Sequence, residues 1–578
     1  MNKIEPGIKL KKLGEATKRS GKKGTERIAK PWLKYYDKGV PRSINYPSTT
    51  LQACLEETSV TYPERASIIF MGKKITYSAL YRLVDRFAAS LQRLGISRGD
   101  RVVLFLPNSP QFVIAYYGIL KAGGVVVPAN PLYTKRELLH LLEDSEARTI
   151  ITLDLKVFFE KVIAAQQTAG LDNIIVGSLQ DYLPFPQNIL FPVVKYKEVS
   201  SPDSSNILRM RDLLAEKTPV KFIEPNVKHD DVAVVLYTGG TTGVPKGVCL
   251  THDNLTANLL QCLHWLPDIK PGKEIFLTVL PVFHAFSMTT SMNLPIYVGG
   301  TIITVPKFEV ASLIKTINKL HPTLLMGVPA IYSAIVRHPG LHRYDLSSIR
   351  LCISGADTLP ASVQHEFEQL TGCKLVEGYG MTEASPAVTC NPIFGKRKGI
   401  GLPLPDTVCQ IVDFDSGAPV SPGQDGELII QGPQVMYAYC ENPEETEIVL
   451  KDGWLYSGDI ARMDKNGYFE MMGRKKDLIK VAGTDYLTAY KVYPGEVEEV
   501  LLRHESVLEA AVIGIPDPVQ GERVKAYIIL QAGSNTTPEE LVGFCRQDLA
   551  EYKVPSEIVF VNDLSKNMLG KVLRNELR

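Results

Sequence analysis

Residues 237–247 read Tyr-Thr-Gly-Gly-Thr-Thr-Gly-Val-Pro-Lys-Gly. The glycines at 239, 240 and 243 let backbone N–H groups close on a ligand, and the hydroxyls of Thr238, Thr241 and Thr242 rotate to donate. Lys246 adds a point charge on a flexible stem. That set suits a polyphosphate. It is not the P-loop of nucleotide hydrolases: Lys246 follows Pro245 rather than a glycine, and Gly247 stands where that loop needs a metal-binding hydroxyl. A plain Gly/Thr surface turn is the bland alternative, and it leaves the lysine and the apolar run before it unexplained.

Further stretches carry chemistry of their own. In Glu377-Gly378-Tyr379-Gly380-Met381-Thr382-Glu383 an aromatic ring between two glycines can lie flat on a purine base. Thr382 can donate to an α-phosphate. Glu383 offers the hard oxygen that Mg²⁺ prefers, with Thr238 as a second ligand. Asp459, in Tyr456-Ser457-Gly458-Asp459, can accept from two vicinal hydroxyls, as acidic residues do on a ribose. His284 stands among Phe283, Ala285 and Phe286, where a lone histidine is usually a satisfied wall residue.

Elements that could hold these groups follow from the patterning. Val232–Leu236 reads as a buried strand ending at the glycine-rich turn. Helical spacing over 79–94, a strand over 101–106, a helix over 110–121, a strand over 125–127, a helix from Thr134 and a strand over 149–152 alternate. Such alternation implies α/β architecture with parallel-rich sheets covered on both faces, and ligands outside the strand ends. After residue 490 the chain reads as a small α+β module. A helix starts at Pro494, strands run over 510–513, 525–530 and 558–561, and a helix spans 539–551. The segment 183–194 holds three prolines, which argue against a regular helix and for a loop or core packing; the sharper alternative is a dip into a lipid interface.

Composition bounds the possibilities. At 578 residues the chain exceeds one hydrophobic core. A net charge of +1 gives no field for nucleic acid. Nine cysteines without a C-x-x-C pair argue against a zinc site or disulfide framework and for a reducing, cytoplasmic compartment. No uncharged apolar run reaches 18 residues, and the N-terminus has no apolar signal core. Residues 1–30 hold ten Lys/Arg against three Glu. A solvated arm is the plain reading, and peripheral attraction to anionic lipid the alternative.

Taken together, 237–247 and the Gly-Tyr-Gly-x-Thr-Glu run resemble the adenylate-forming superfamily of acyl-CoA synthetases, peptide-synthetase adenylation domains and luciferases, most closely the bacterial long-chain fatty acyl-CoA ligases. The resemblance implies a large N-terminal domain with a β-barrel-like subdomain and a small mobile C-terminal domain. The bounds expected are an arm at 1–45, an AMP-binding domain at 46–473, a hinge at 474–482 and a lid at 483–578. It implies ATP, Mg²⁺ and coenzyme A as partners of a medium-to-long fatty acid. By the same resemblance Gly355, Ala356, Glu377, Gly378, Arg474 and the hinge residue Lys476 join the nucleotide site. His284 lines the acyl pocket, and Ala285, Met288 and Lys480 serve coenzyme A. Lys571, in Asn567-x-x-Gly570-Lys571, is the lysine that enters for adenylation. Thr76-Tyr77 and Leu120–Gly124 match packing motifs.

One departure stands out: Thr484–Ala489 forms a six-residue insertion between the hinge glycine Gly483 and Tyr490–Pro494. Thioester formation is expected to survive it, since short loop insertions cost little. An acyl-AMP ligase loading a carrier protein, or a ligase for aryl or other acids, are the alternatives.

Overall fold

The computed structural model describes residues 29–195, 197–200, 207–215, 222–238, 245–482, 489–517, 521–567 and 570–577. Gly239, Gly240, Thr241, Thr242 and Gly243, most of the basic arm and nearly all of the 484–489 insertion lie outside them.

Two mixed sheets of mainly parallel strands build the large domain. In the first, Val232–Thr238 sits between parallel Val125–Pro128 and antiparallel Lys246–Thr251; the order continues through Arg101–Leu104, Thr149–Leu153 and Asn173–Gly177. In the second, Ile275–Thr278, Leu324–Gly327, Leu351–Ser354 and Lys374–Gly380 run parallel, and Ala387–Cys390 closes antiparallel on the last. The central strands are buried on both faces, as helix-covered parallel sheets require. The helix Pro110–Ala122 shows why the boundaries fall where they do. Ser109 Oγ accepts from Phe112 N–H, Pro110 opens the first turn where no N–H is needed, and Gly123 ends it in the left-handed region. Tyr77, wholly buried, donates to the Gly300 carbonyl at 2.6 Å, a packing role.

A five-stranded antiparallel sheet over Val408–Arg474 stands where the barrel-like subdomain is expected. The final sheet has its own core, drawn entirely from residues between Ile479 and Val554, so the apolar interior changes hands just before residue 479. Two expectations are corrected. The arm does not extend to residue 45: Trp32 is 1% exposed, edge-on to Phe469, and Tyr36 donates to the Pro403 carbonyl at 2.6 Å. The three prolines do not prevent a helix, because Gln187–Val194 forms one. Pro184 and Pro186 precede it or cap it, where N–H groups lack partners anyway, so only Pro192 forfeits a bond. Nor is that helix core. Phe185, Ile189, Leu190 and Val194 are each more than half exposed. Among the described residues no helix is long and apolar enough to cross a membrane.

Candidate active site

One continuous cavity of about 880 Å³ opens where the strand ends of both large sheets, the antiparallel sheet and the C-terminal module meet. Leu236, Tyr237 and Thr238 reach it from one sheet, and Ile353, Gly355, Ala356, Gly378 and Tyr379 from the other. Gly380 has to be glycine: a Cβ there would stand 2.1 Å from the Pro386 carbonyl oxygen. Only a bare backbone lets the strand pair with Ala387 and present Tyr379.

Tyr379 donates its hydroxyl to Asp459 Oδ2 at 2.6 Å, and Arg474 Nε meets Oδ1 of the same carboxylate at 2.9 Å. The Asp459 side chain is 3% exposed. It does not itself line the cavity; it fixes the Tyr379 ring, which does. The two oxygens keep lone pairs for a further donor. Burial, then the Asp459 charge, raises the Tyr379 phenol well above its ordinary value, so it stays a donor.

Thr382 and Glu383 follow on a short 3₁₀ turn at the cavity wall. Glu383 Oε1 accepts from Tyr439 Oη at 2.9 Å. Burial raises its pKa, opposed by the Tyr439 bond and Arg474. A carboxylate this desolvated, for which these contacts compensate only in part, favours a cation. Among the described residues no group of three or more His, Cys, Asp or Glu could hold a metal; Glu383 and the Thr238 hydroxyl fit an ion that brings its other ligands with it, as Mg²⁺ does on a phosphate chain.

Lys246 differs from the free point charge expected of it. Its ammonium pairs with Glu445 Oε2 at 2.6 Å and lies 5.5 Å from the Tyr439 ring centre, still on the cavity wall. Glu377 does not line the cavity: its carboxylate accepts from Leu359 N–H at 3.2 Å, and burial pushes its pKa up to about 7. Lys476 and Ala285 line the cavity. Lys480 is exposed on the strand Ile479–Ala482, away from the wall, and Met288 is wholly buried without reaching it. Met288 packs in the core of the large domain.

His284 Nδ1 accepts from Phe286 N–H at 3.3 Å, and burial lowers its pKa to about 4. The ring is neutral at ordinary pH and carries its proton on Nε2. Beyond it the cavity turns apolar along Cys262, Trp265, Ala387, Cys390 and Leu404. Trp265 is 2% exposed, its indole N–H tied to the Asn391 carbonyl at 3.1 Å, so this limb has a rigid wall.

From the C-terminal module, Lys571 enters the same cavity with Asn567 and Arg574. Burial first, then the Arg474 charge, lowers its pKa, while Asp459 and Asp357 oppose the shift. Tyr439, Glu445 and the Cys262–Leu404 limb belong to no motif that the sequence reading used. Trp265, one of three tryptophans, was the one signal available.

Comparison with known proteins agrees with this geometry. The family model for AMP-binding enzymes matches residues 55–440, and that for the AMP-binding enzyme C-terminal domain matches 496–571. A long-chain-fatty-acid–CoA ligase of Bacillus subtilis is 44% identical, covering 95% of this chain and 97% of that one. Among solved structures, ATP-bound MatB from Rhodopseudomonas palustris superposes with a TM-score of 0.81 at 29% identity, covering 92% of this chain and 98% of that one. The anthranilate CoA ligase AuaEII, in complex with anthranoyl-AMP, superposes at 0.80 and 26% identity, covering 92% and 97%.

Proposed function

The chain belongs to the AMP-binding enzyme family, and from that premise we propose that it is an ATP-dependent medium-to-long-chain fatty acid–CoA ligase acting through an acyl-AMP. The observation that carries this is the continuity of one cavity from Tyr379, Ser457 and Lys571 into the apolar limb of Cys262, Trp265 and Leu404. A nucleotide and an acyl chain meet there end to end.

A carboxylate oxygen attacks the α-phosphorus of ATP; the bond from that phosphorus to the bridging oxygen breaks, and pyrophosphate leaves. Coenzyme A thiol then attacks the acyl carbonyl and AMP departs. Two anions must approach in the first step, so cations and aligned donors dominate it. Lys571 neutralises charge at the α-phosphate. Thr382 donates to it, and Glu383 with Thr238 would hold Mg²⁺, which would neutralise phosphate charge. Tyr379 stacks on adenine, Asp459 and Arg474 hold the ribose side, and residues 237–247, with Gly239, Gly240, Thr241, Thr242, Gly243 and Lys246, wrap the leaving phosphates. His284, neutral, donates from Nε2 to the fatty-acid carboxylate instead of acting as a base. Gly355, Ala356 and Gly378 form the backbone wall beside the base, and Lys476 sits at the pivot of a hinge over 474–482. Lys480 and Ala285 serve coenzyme A, the former after the C-terminal lobe turns. Ten basic residues within 1–30 give a peripheral hold on anionic lipid, about 1 kcal/mol each near the surface.

Pyrophosphate release across a panel of carboxylic acids, with and without coenzyme A, tests the reading. Palmitate should release pyrophosphate and yield palmitoyl-CoA. Turnover confined to aryl acids, or a product that requires a carrier protein, would overturn it.

A further inference from the structure

Lys571 sits on a short excursion with several fastenings among the described residues. Lys566 and Val572 bridge across its base, Asn567 N–H donates to the Lys571 carbonyl at 2.9 Å, and Lys571 N–H donates to Asn567 Oδ1 at 3.0 Å. Gly570 holds φ at +82° and lies against Ala330 of the large domain, where an added Cβ would meet the alanine methyl at 3.6 Å. These contacts shape the turn. They do not fix it to the body of its own lobe.

Two ion pairs do that: Lys566 Nζ meets Glu509 Oε2 at 2.5 Å on the strand Val507–Asp517, and a second, more buried pair follows three residues after Lys571. Arg574 Nη2 donates to both Oε1 and Oε2 of Glu498 at 2.7 Å each. Glu498 lies on the helix Pro494–Leu502, and its Oε1 also accepts from Val512 N–H at 2.7 Å, in the strand Val507–Asp517. Their side chains are 14% and 21% exposed. One carboxylate thus ties helix, strand and the tail carrying Lys571 into one unit. Across the cavity, exposed Asp357 adjoins Ala356, which lines the same cavity as Lys571 and Arg574, and its negative charge acts on both cations. Neither Glu498 nor Asp357 lines the cavity, and no sequence motif points to this pairing.

We propose that Glu498 is a positioning residue for acyl-AMP formation: it grips Arg574 with both oxygens and so holds Lys571 at the nucleotide, the Asp357 charge adding long-range attraction from the other lobe. The inference rests on the ligase reading above and deepens it. Both contacts run through the one Nη2, so this charge-assisted pair sets the distance of the tail from the helix, and a misplacement near 1 Å at a catalytic group costs on the order of 10²-fold.

The test separates the two half-reactions in Glu498→Gln, Glu498→Asp and Asp357→Asn, using palmitate with Mg·ATP for the first and supplied palmitoyl-AMP with coenzyme A for the second. Acyl-AMP formation should fall about 10- to 100-fold in Glu498→Gln and less in Glu498→Asp, which keeps the charge. Asp357→Asn should lose about 3- to 10-fold. Thioester formation should stay within about 3-fold in all three. A merely structural role for Glu498 would lower both halves together, and that result overturns the proposal. So does an unchanged first half in folded Glu498→Gln. Should that variant fail to fold, unchanged first halves in Glu498→Asp and Asp357→Asn decide against it. A wild-type protein that forms no acyl-AMP from any acid would instead sink the ligase reading, and this inference with it.

Discussion

Replacing Lys571 is the sharpest perturbation the site offers. Its ammonium is half-buried at the cavity wall, and burial together with Arg474 already lowers its pKa. The charge is therefore held at a cost, and contact with a phosphoryl oxygen offsets that cost. A unit charge about 4 Å from another at an effective dielectric near 20 interacts by about 4 kcal/mol. Arg474 stands in the same field and recovers part of what is lost, so the net loss is about 3–4 kcal/mol, or 10²–10³ in rate. That matches the usual effect of removing one preorganised donor. Lys571→Ala and the uncharged, similarly long Lys571→Met should both lose acyl-AMP formation to that extent, measured as single-turnover pyrophosphate release. Both should keep thioester formation from supplied acyl-AMP. Equal losses in the two halves, or near-normal adenylation by Lys571→Met, would refute a role based on charge.

Glu377 predicts a pH dependence of stability. With a folded pKa of about 7 against an ordinary value of 4.5, its stabilisation is complete below pH ~4.5 and is lost as pH rises through 7, because only the folded state holds the proton in between. The loss is about 3 kcal/mol; thermal unfolding of Glu377→Gln should lack that slope, and an unaltered slope would show another group at work. Ala387→Phe, placed in the apolar limb, should favour shorter acids, read as a falling kcat/KM ratio of palmitate to octanoate; an unchanged ratio would put the chain elsewhere. Lys480→Ala should raise KM for coenzyme A several-fold and spare pyrophosphate release, and an effect on adenylation alone would contradict its assignment.

Legibility divides along physical lines. The parallel strands were readable because burial on both faces leaves near-continuous apolar runs, as at Val125–Val127 and Val232–Leu236. The cavity wall of Tyr379, Thr382 and Glu383 was readable because these residues are neighbours in sequence. The ties that hold that wall were not. Tyr379 meets Asp459 from 80 residues away, Glu383 meets Tyr439 and Lys246 meets Glu445, and no local pattern announces such pairs. The helix Gln187–Val194 does not follow from its proline count, because a first turn leaves N–H groups unused and only Pro192 lies beyond it.

The most direct test of the central claim follows one oxygen atom. With palmitate labelled with ¹⁸O in its carboxylate, Mg·ATP and coenzyme A, attack on the α-phosphorus predicts one ¹⁸O in the phosphate of AMP and none in pyrophosphate. Label in pyrophosphate or inorganic phosphate, or unlabelled AMP alongside palmitoyl-CoA, would contradict it.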